Sequence, residues 1–361
     1  MSGDSFKVTR RQALSLLGAG AATLAMPSLS AAQSGDKVTL LHGAGAPLLG
    51  WAPSFIAEAL GYYKEEGLTV ERIINGSGPA GLTALVSGAG QGLITAPGEL
   101  LIAAARGQKL KVLFAQSNYQ ATHLVISKAF AAQHGITSDM SYDQKLAAAK
   151  SFKNFRCGIS TPGSLTDLTA RTVFKNVGLV PGSDAQIVPL GSVPNAMAAL
   201  SSGNVDGFAG ASPAPEQAEE QLGGVVLFSV GKDEIPGLRP MAGPVLEARA
   251  SDVEEKPDLY AALVRADTRA LRTIIEDPKQ AGDTFHKQSF TKLDKPFWDV
   301  VWQRNSSLFT SPYVTKESLE AWVTMGMVPG VTDPKSIDID AVVDMRFVDQ
   351  ALQKLGWKVP A

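Results

Sequence analysis

The chain has 361 residues, 45% of them hydrophobic and 19% charged, a globular composition too long for one core and therefore suited to two lobes. Its formal net charge of −2 argues against nucleic acid as a partner. Cys157 is the single cysteine, which excludes an internal disulfide and leaves stability to the core.

In chain order, the first expected element is an export signal over residues 1–32. Lys7, Arg10 and Arg11 precede an apolar stretch from Leu14 to Met26, and Ser30-Ala31-Ala32 supplies small residues for cleavage. Thr9-Arg10-Arg11-Gln12-Ala13-Leu14 is similar to a twin-arginine signal, with Ala13 where an aromatic is usual. The apolar stretch is too short for the ~30 Å of a bilayer core. A mature periplasmic chain is expected to start near Gln33; losing Lys7, Arg10, Arg11 and Asp4, a net +2, takes the charge from −2 to −4.

Short β-branched runs then alternate with amphipathic stretches, the pattern of mostly parallel sheets with helices on both faces. Strands are expected at Val38–Leu41, Thr69–Ile74, Leu93–Thr95 and Lys111–Ala115, with helices at Ala52–Leu60, Gly81–Ser87 and Glu99–Arg106. The pattern restarts with strands at Arg156–Ile159, Gln186–Pro189, Gly207–Ala209 and Val225–Val230, and helices at Leu165–Val177, Asn195–Ser202 and Pro215–Leu222. Between the halves lie the extended run His123–Ser127 and a helix at Asp143–Lys150; Met241–Ala248 offers a second extended run returning the other way. Two crossing strands make a hinge. From Pro257 only helices are expected, from Asp258–Glu276 to Met345–Leu355, covering the first lobe. Lobe 1 is thus expected over 36–122 plus about 255–361, and lobe 2, with the hinge strands, over 123–254.

Ligands of open α/β sheets bind beyond the carboxyl ends of the strands. The loops there share one chemistry: Gly43-Ala44-Gly45-Ala46-Pro47, Asn75-Gly76-Ser77-Gly78 and Ala96-Pro97-Gly98 in the first half, then Ser160-Thr161-Pro162-Gly163-Ser164, Gly191-Ser192-Val193 and Gly210-Ala211-Ser212-Pro213 in the second. Glycine lets backbone N–H groups face a ligand, and Ser or Thr caps the following helix while its N-terminal donors stay accessible. One such loop is ordinary turn chemistry; six facing one cleft form a donor-lined pocket. Ala46, Asn75, Ser77, Gly78 and Pro97 are the first-lobe candidates, and Thr161, Gly163, Ser164, Ser192 and Ser212 those of the second.

Reactive constellations do not emerge. His42-Gly43-Ala44-Gly45 resembles an esterase oxyanion turn, yet Gly210-Ala211-Ser212-Pro213-Ala214 and Gly158-Ile159-Ser160-Thr161-Pro162 both miss the final glycine of a nucleophile elbow. His42, His123, His134 and His286 lack metal-ligand spacing. No catalytic residue, metal or cofactor is expected.

Gly61-Tyr62-Tyr63-Lys64-Glu65-Glu66-Gly67-Leu68-Thr69-Val70-Glu71 resembles a run of ABC-transporter solute-binding proteins of the sulfonate/nitrate/taurine type, relatives of thiamine-precursor binding proteins. The resemblance continues in order through Gly78–Gly88, Gly107–Val112, Ala198–Gly207 and Val343–Leu355. It departs at Ala211–Glu216, where many relatives carry an aromatic and an acid before proline, and at Gly88–Gly92. It implies a two-lobed periplasmic-binding fold of the second type that closes on a small-molecule solute and presents it to a membrane permease and its ATPase, with a monomer expected. A periplasmic sensor or enzyme on the same scaffold is the alternative. The cysteine-rich motif of thiamine-pyrimidine synthases on this fold is absent.

The candidate loops hold no Lys or Arg, so an anion would rely on backbone donors, with Arg239 the nearest charged helper. Glu99 and Glu216 open the helices after two loops, placed either for a ligand amine or to complement the helix N-terminus. Trp51 is positioned to stack on a planar ligand or to pack in the core, and Gln116 and Ser117 to hydrogen-bond the solute. A small polar organic solute containing nitrogen or sulfur is the expected ligand.

Overall fold

The computed structural model describes residues 36–44, 46–230, 233 and 235–360; the export signal expected over 1–32 lies outside them. Ten strands form two sheets of five. They are β1 (Asp36–His42), β2 (Leu68–Ile74), β3 (Gly92–Thr95), β4 (Leu110–Ala115), β5 (Thr122–Ile126), β6 (Phe155–Ile159), β7 (Ala185–Pro189), β8 (Gly207–Ala211), β9 (Val225–Ser229) and β10 (Val245–Arg249). Strand orders are β2-β1-β3-β10-β4 and β7-β6-β8-β5-β9.

The orders match position by position. Each sheet has three parallel strands, β2-β1-β3 or β7-β6-β8, then one antiparallel strand, β10 or β5, then the fifth. Strand β5 follows β4 in sequence but sits in the second sheet, and β10 follows β9 but sits in the first. Each lobe is therefore completed by a strand arriving from the other. The crossings run side by side: Gln116 N–H donates to Pro244 O (2.9 Å) and Gly243 N–H to Asn118 O (3.3 Å).

Met241–Ala248, expected as a second extended run returning between the lobes, is strand from Val245 and pairs with β3 and β4. The segment 123–254 thus ends in a strand of the first sheet, because the slot between β3 and β4 is filled by no nearer segment.

Helices follow the strands: α1 (Ala52–Ala59), α2 (Tyr62–Glu65), α3 (Gly78–Val86) and α4 (Gly98–Ala105) in the first lobe; α5 (Lys128–Gln133), α6 (Tyr142–Ala149), α7 (Leu165–Val177), α8 (Val193–Ser201) and α9 (Ala214–Leu222) in the second. The tail holds α10 (Ala250–Glu255), α11 (Pro257–Glu276), α12 (Pro278–Ser289), α13 (Lys295–Asn305), α14 (Lys316–Thr324), α15 (Ile339–Val342) and α16 (Arg346–Leu355). Among the described residues no strand follows β10.

Helix α11 shows why the tail returns to the first lobe. Leu259, Leu263, Ala266, Ala270 and Ile274 fall on one face and are buried, and that face packs on α1 and α16. Trp298, Trp302, Phe285 and Phe347 join Leu40, Leu113 and Phe114 in the same cluster; burying one such side chain contributes about 1.5–3 kcal/mol. On the other face of the first sheet, Leu85, Leu93, Leu100 and Leu101 seat α3 and α4, which fixes the loops at the strand ends.

Candidate functional site

The loops of the two lobes repeat each other in detail. After β2, Gly76 takes φ 79°, Ser77 caps α3 by accepting from Ala80 N, and Pro79 follows. After β7, Gly191 takes φ 78°, Ser192 caps α8 by accepting from Asn195 N, and Pro194 follows. Both Ser side chains accept at 3.4 Å. The third loops are also alike: Pro97 precedes α4 with Glu99 in its first turn, and Pro213 precedes α9 with Glu216 in its first turn. The six loops occupy equivalent ends of matched sheets.

In the first lobe the loops form one wall. Asn75 N–H donates to His42 O (2.9 Å) and Gly76 N–H to Ala44 O (3.2 Å). A side chain on Gly43 would overlap Thr95, and one on Gly78 would place Cβ 2.7 Å from Glu99 Oε1. At Gly43 the close neighbour is the short Thr95 side chain, and at Gly78 the movable end of Glu99. In the second lobe Ser160 Oγ lies 3.0 Å from Ser164 Oγ and 2.9 Å from Thr166 Oγ1, and Gly163 N–H donates to Asp167 Oδ2 (2.8 Å).

Among the candidate residues, Ala46, Ser77, Thr161, Gly163 and Ser192 are exposed on the loops, Asn75, Glu99, Ser164 and Ser212 are half-buried, and Gly78 and Pro97 are buried beneath them. Three others serve the interior. Trp51 is 1% exposed, stacked on Phe55 and 4.7 Å from His42, so no face of its ring is open to a solute. Gln116, fully buried, accepts from Ser54 N (3.1 Å) and donates to Asp267 Oδ2 (2.6 Å). Tyr63 OH donates to Asp267 Oδ1, and burial pushes that carboxyl up to about 6 against these hydrogen bonds. Ser117, also buried, donates to Tyr119 O (3.0 Å) and packs the crossing.

Glu216 is 1% exposed and belongs to a cluster that local sequence does not announce. His123 on β5, Ser212, Glu216 on α9 and Asn305 at the end of α13 converge, bringing the tail against the second lobe. His123 Nε2 lies 2.7 Å from Ser212 Oγ, 3.2 Å from Asn305 Oδ1 and 3.3 Å from Glu216 Oε1. Ser212 Oγ and Asn305 Nδ2 both donate to Glu216 Oε1 (2.8 and 3.0 Å). Burial alone would raise the Glu216 carboxyl, but the charge and hydrogen bond of His123, with the Ser212 hydroxyl, hold it at about 2. Nearby, Arg304 and Glu219 form an ion pair (2.5 Å).

This Ser–His–Glu grouping is not a hydrolytic triad. A triad needs its acid on the imidazole nitrogen opposite the serine; here Glu216 and Ser212 crowd the same Nε2, and His123 Nδ1 is buried without a partner. Cys157 is buried, and burial pushes its thiol up to about 12, far from a nucleophilic thiolate. Among the described residues no group of three or more His, Cys, Asp or Glu is placed to hold a metal ion.

Matched sheets and exchanged strands define a two-lobed α/β fold of the periplasmic-binding type. The chain belongs to the NMT1-like family, whose model matches residues 36–285. Its fold is shared with the periplasmic sulfonate-binding protein SsuA of Methylobacillus flagellatus KT, with a TM-score of 0.67, 17% identity, and coverage of 91% of this chain and 98% of that one. It is similar also to the nitrate-binding protein NrtA of Synechocystis PCC 6803, at TM-score 0.61 and 19% identity over 90% and 91% of the two chains. The desulfurization enzyme DSZB has the same fold, at TM-score 0.63 and 14% identity over 89% and 99%. None of the curated proteins matches the sequence.

Proposed function

We propose that the chain captures a small polar organic solute, containing nitrogen or sulfur, between its lobes and delivers it to a membrane permease driven by an ATPase, working in the periplasm after export. The observation that carries this reading is the paired Gly-Ser-x-Pro loops, one per lobe at equivalent strand ends, each capping a helix N-terminus. They supply donors and no nucleophile. The neighbours named for binding sulfonate and nitrate support capture; DSZB shows that the scaffold also hosts chemistry, so an enzyme or a sensor is the competing reading.

Native mass spectrometry of the purified chain tests it. A co-purifying small molecule is expected, and adding it back at ~100 times its Kd stabilises the fold by about 2.7 kcal/mol. Conversion of that molecule into a product by the protein alone would establish an enzyme and overturn the importer reading.

A further inference from the structure

The end of α13 is packed on one lobe and hydrogen-bonded to the other. Trp298 and Trp302 lie in the tail-side core with Leu40 and Phe114 and donate to Gly282 O (2.9 Å) and Pro278 O (2.6 Å) of α12, which itself packs on α1. The helix is thereby fixed to the first lobe. Its last two residues, Arg304 and Asn305, reach across to α9, where Glu219 and Glu216 share one face at a spacing of one turn. In the buried cluster His123, Ser212 and Glu216 come from the second lobe, and Asn305 alone from the tail.

These contacts lie off the crossing strands. The crossing is held by Gln116 on Pro244 and Asn118 on Gly243, so a second lobe turning on it must carry α9 past the end of α13. Each group involved has a second partner in its own lobe. Asn305 Nδ2 also donates to Val301 O (2.8 Å) of its own helix. Glu216 retains the Ser212 hydroxyl and His123 Nε2, and Glu219 Oε1 retains Val226 N–H (3.3 Å). Arg304, whose side chain is 20% exposed, turns into water. The junction therefore opens without leaving a buried charge bare, which is the condition for an element with two arrangements of similar free energy.

Two further features favour exchange over a permanent joint. In the joined state Glu216 Oε2 and Arg304 Nη1 are buried with no partner, so the state is not fully satisfied. Cavities of about 610 and 280 Å³ lie beside the Arg304–Glu219 pair, each lined by both residues and by Ser138. Polar contacts with open space next to them hold this junction.

We propose that the end of α13 is a latch that sets the angle between the lobes: Asn305 and Arg304 hold α9 in the arrangement seen here and let go when the second lobe turns. The latch rests on the lobes moving as the solute-binding reading requires, yet it acts without touching solute. Releasing it changes how often the unliganded chain visits other lobe angles.

Pulsed electron resonance on the unliganded full chain tests the proposal. Thr83→Cys on α3 and Ala198→Cys on α8, exposed and at matched positions of the two helices, carry the labels; buried Cys157 stays silent. The parent is expected to give one narrow distance. Arg304→Glu sets two carboxylates face to face and is expected to broaden the distribution about twofold. Adding Glu219→Arg restores the pair with reversed charge and is expected to narrow it again. Asn305→Ala is expected to broaden it as well; if that variant fails to fold, the Arg304 series, made at a partly exposed side chain, decides alone. A distribution unchanged in folded Arg304→Glu would overturn the latch. So would broadening that Glu219→Arg fails to reverse, the mark of lost packing. Neither failure touches solute capture, because no solute enters the measurement.

Discussion

Replacing Glu247 by leucine should stabilise the protein, and the gain should grow with pH. The carboxyl is fully buried and both its oxygens are unpartnered, so folding strips its hydration with nothing in return, a penalty of about 1–3 kcal/mol for a neutral polar group. Its folded pKa lies well above the ordinary 4.5 through burial and the charge of Glu99. Above pH 4.5 the unfolded chain releases this proton while the folded chain keeps it, so native stability falls by about 1.4 kcal/mol per pH unit until the folded carboxyl ionises. Asp267, pushed up to about 6 by burial, adds a slope of the same sign below pH 6; the comparison therefore belongs between pH 6 and 8. Urea unfolding across that range should show Glu247→Leu more stable by about 4 kcal/mol at pH 6, the desolvation penalty plus the loss accumulated between pH 4.5 and 6, and with a flatter dependence above it. Equal slopes in the two proteins, or a leucine variant less stable than the parent, would refute the claim that Glu247 is an uncompensated buried acid.

Glu216→Gln removes the partner of His123 and should cost about 3 kcal/mol, read as a lower Tm at neutral pH. Glu216's own contribution is fully present above pH 4.5 and is lost as pH falls toward its folded value of about 2, so the difference between parent and variant should shrink at pH 3. Trp51→Phe should leave solute affinity within about twofold while Trp51→Ala costs about 3–5 kcal/mol of stability; tenfold loss of affinity in the phenylalanine variant with stability intact would restore a stacking role. Cys157 should resist iodoacetamide in the folded state and react only under denaturant, because its thiol is buried and pushed up to about 12; rapid native labelling would contradict its placement. Gly78→Ala would press a methyl onto Glu99 Oε1, the movable end of that side chain, and a small drop in Tm is the expected calorimetric result.

Where capping is local, the sequence is readable to the residue. Leu165–Val177 is helical end to end as predicted, because Ser164 accepts from Asp167 N and Gly178 closes it at φ 75°. The alternation of strands and helices likewise leads to the two sheets. What the pattern cannot carry is which partner a strand finds: β10 follows the second lobe in sequence yet pairs with β3 and β4. The same limit governs the site. Gln116 and Trp51 sit beside the loops in sequence, but Gln116 is claimed by Asp267, 151 residues onward, and Trp51 by the ring of Phe55. Asn305 joins His123 across 182 residues with no motif to announce it. Glu247 did leave a trace, a lone acid in the otherwise uncharged run Met241–Ala248, which a buried central strand makes costly.

Closure of the two lobes on a solute is the claim on which the rest depends, and the loops themselves provide the probes. Ser77→Cys and Ser192→Cys place one spin label on each lobe at exposed cap positions, and buried Cys157 leaves the background silent. Pulsed electron resonance should show the inter-label distance shorten and its distribution narrow when the co-purified solute is added. A distance unchanged by a solute that demonstrably binds would contradict the account.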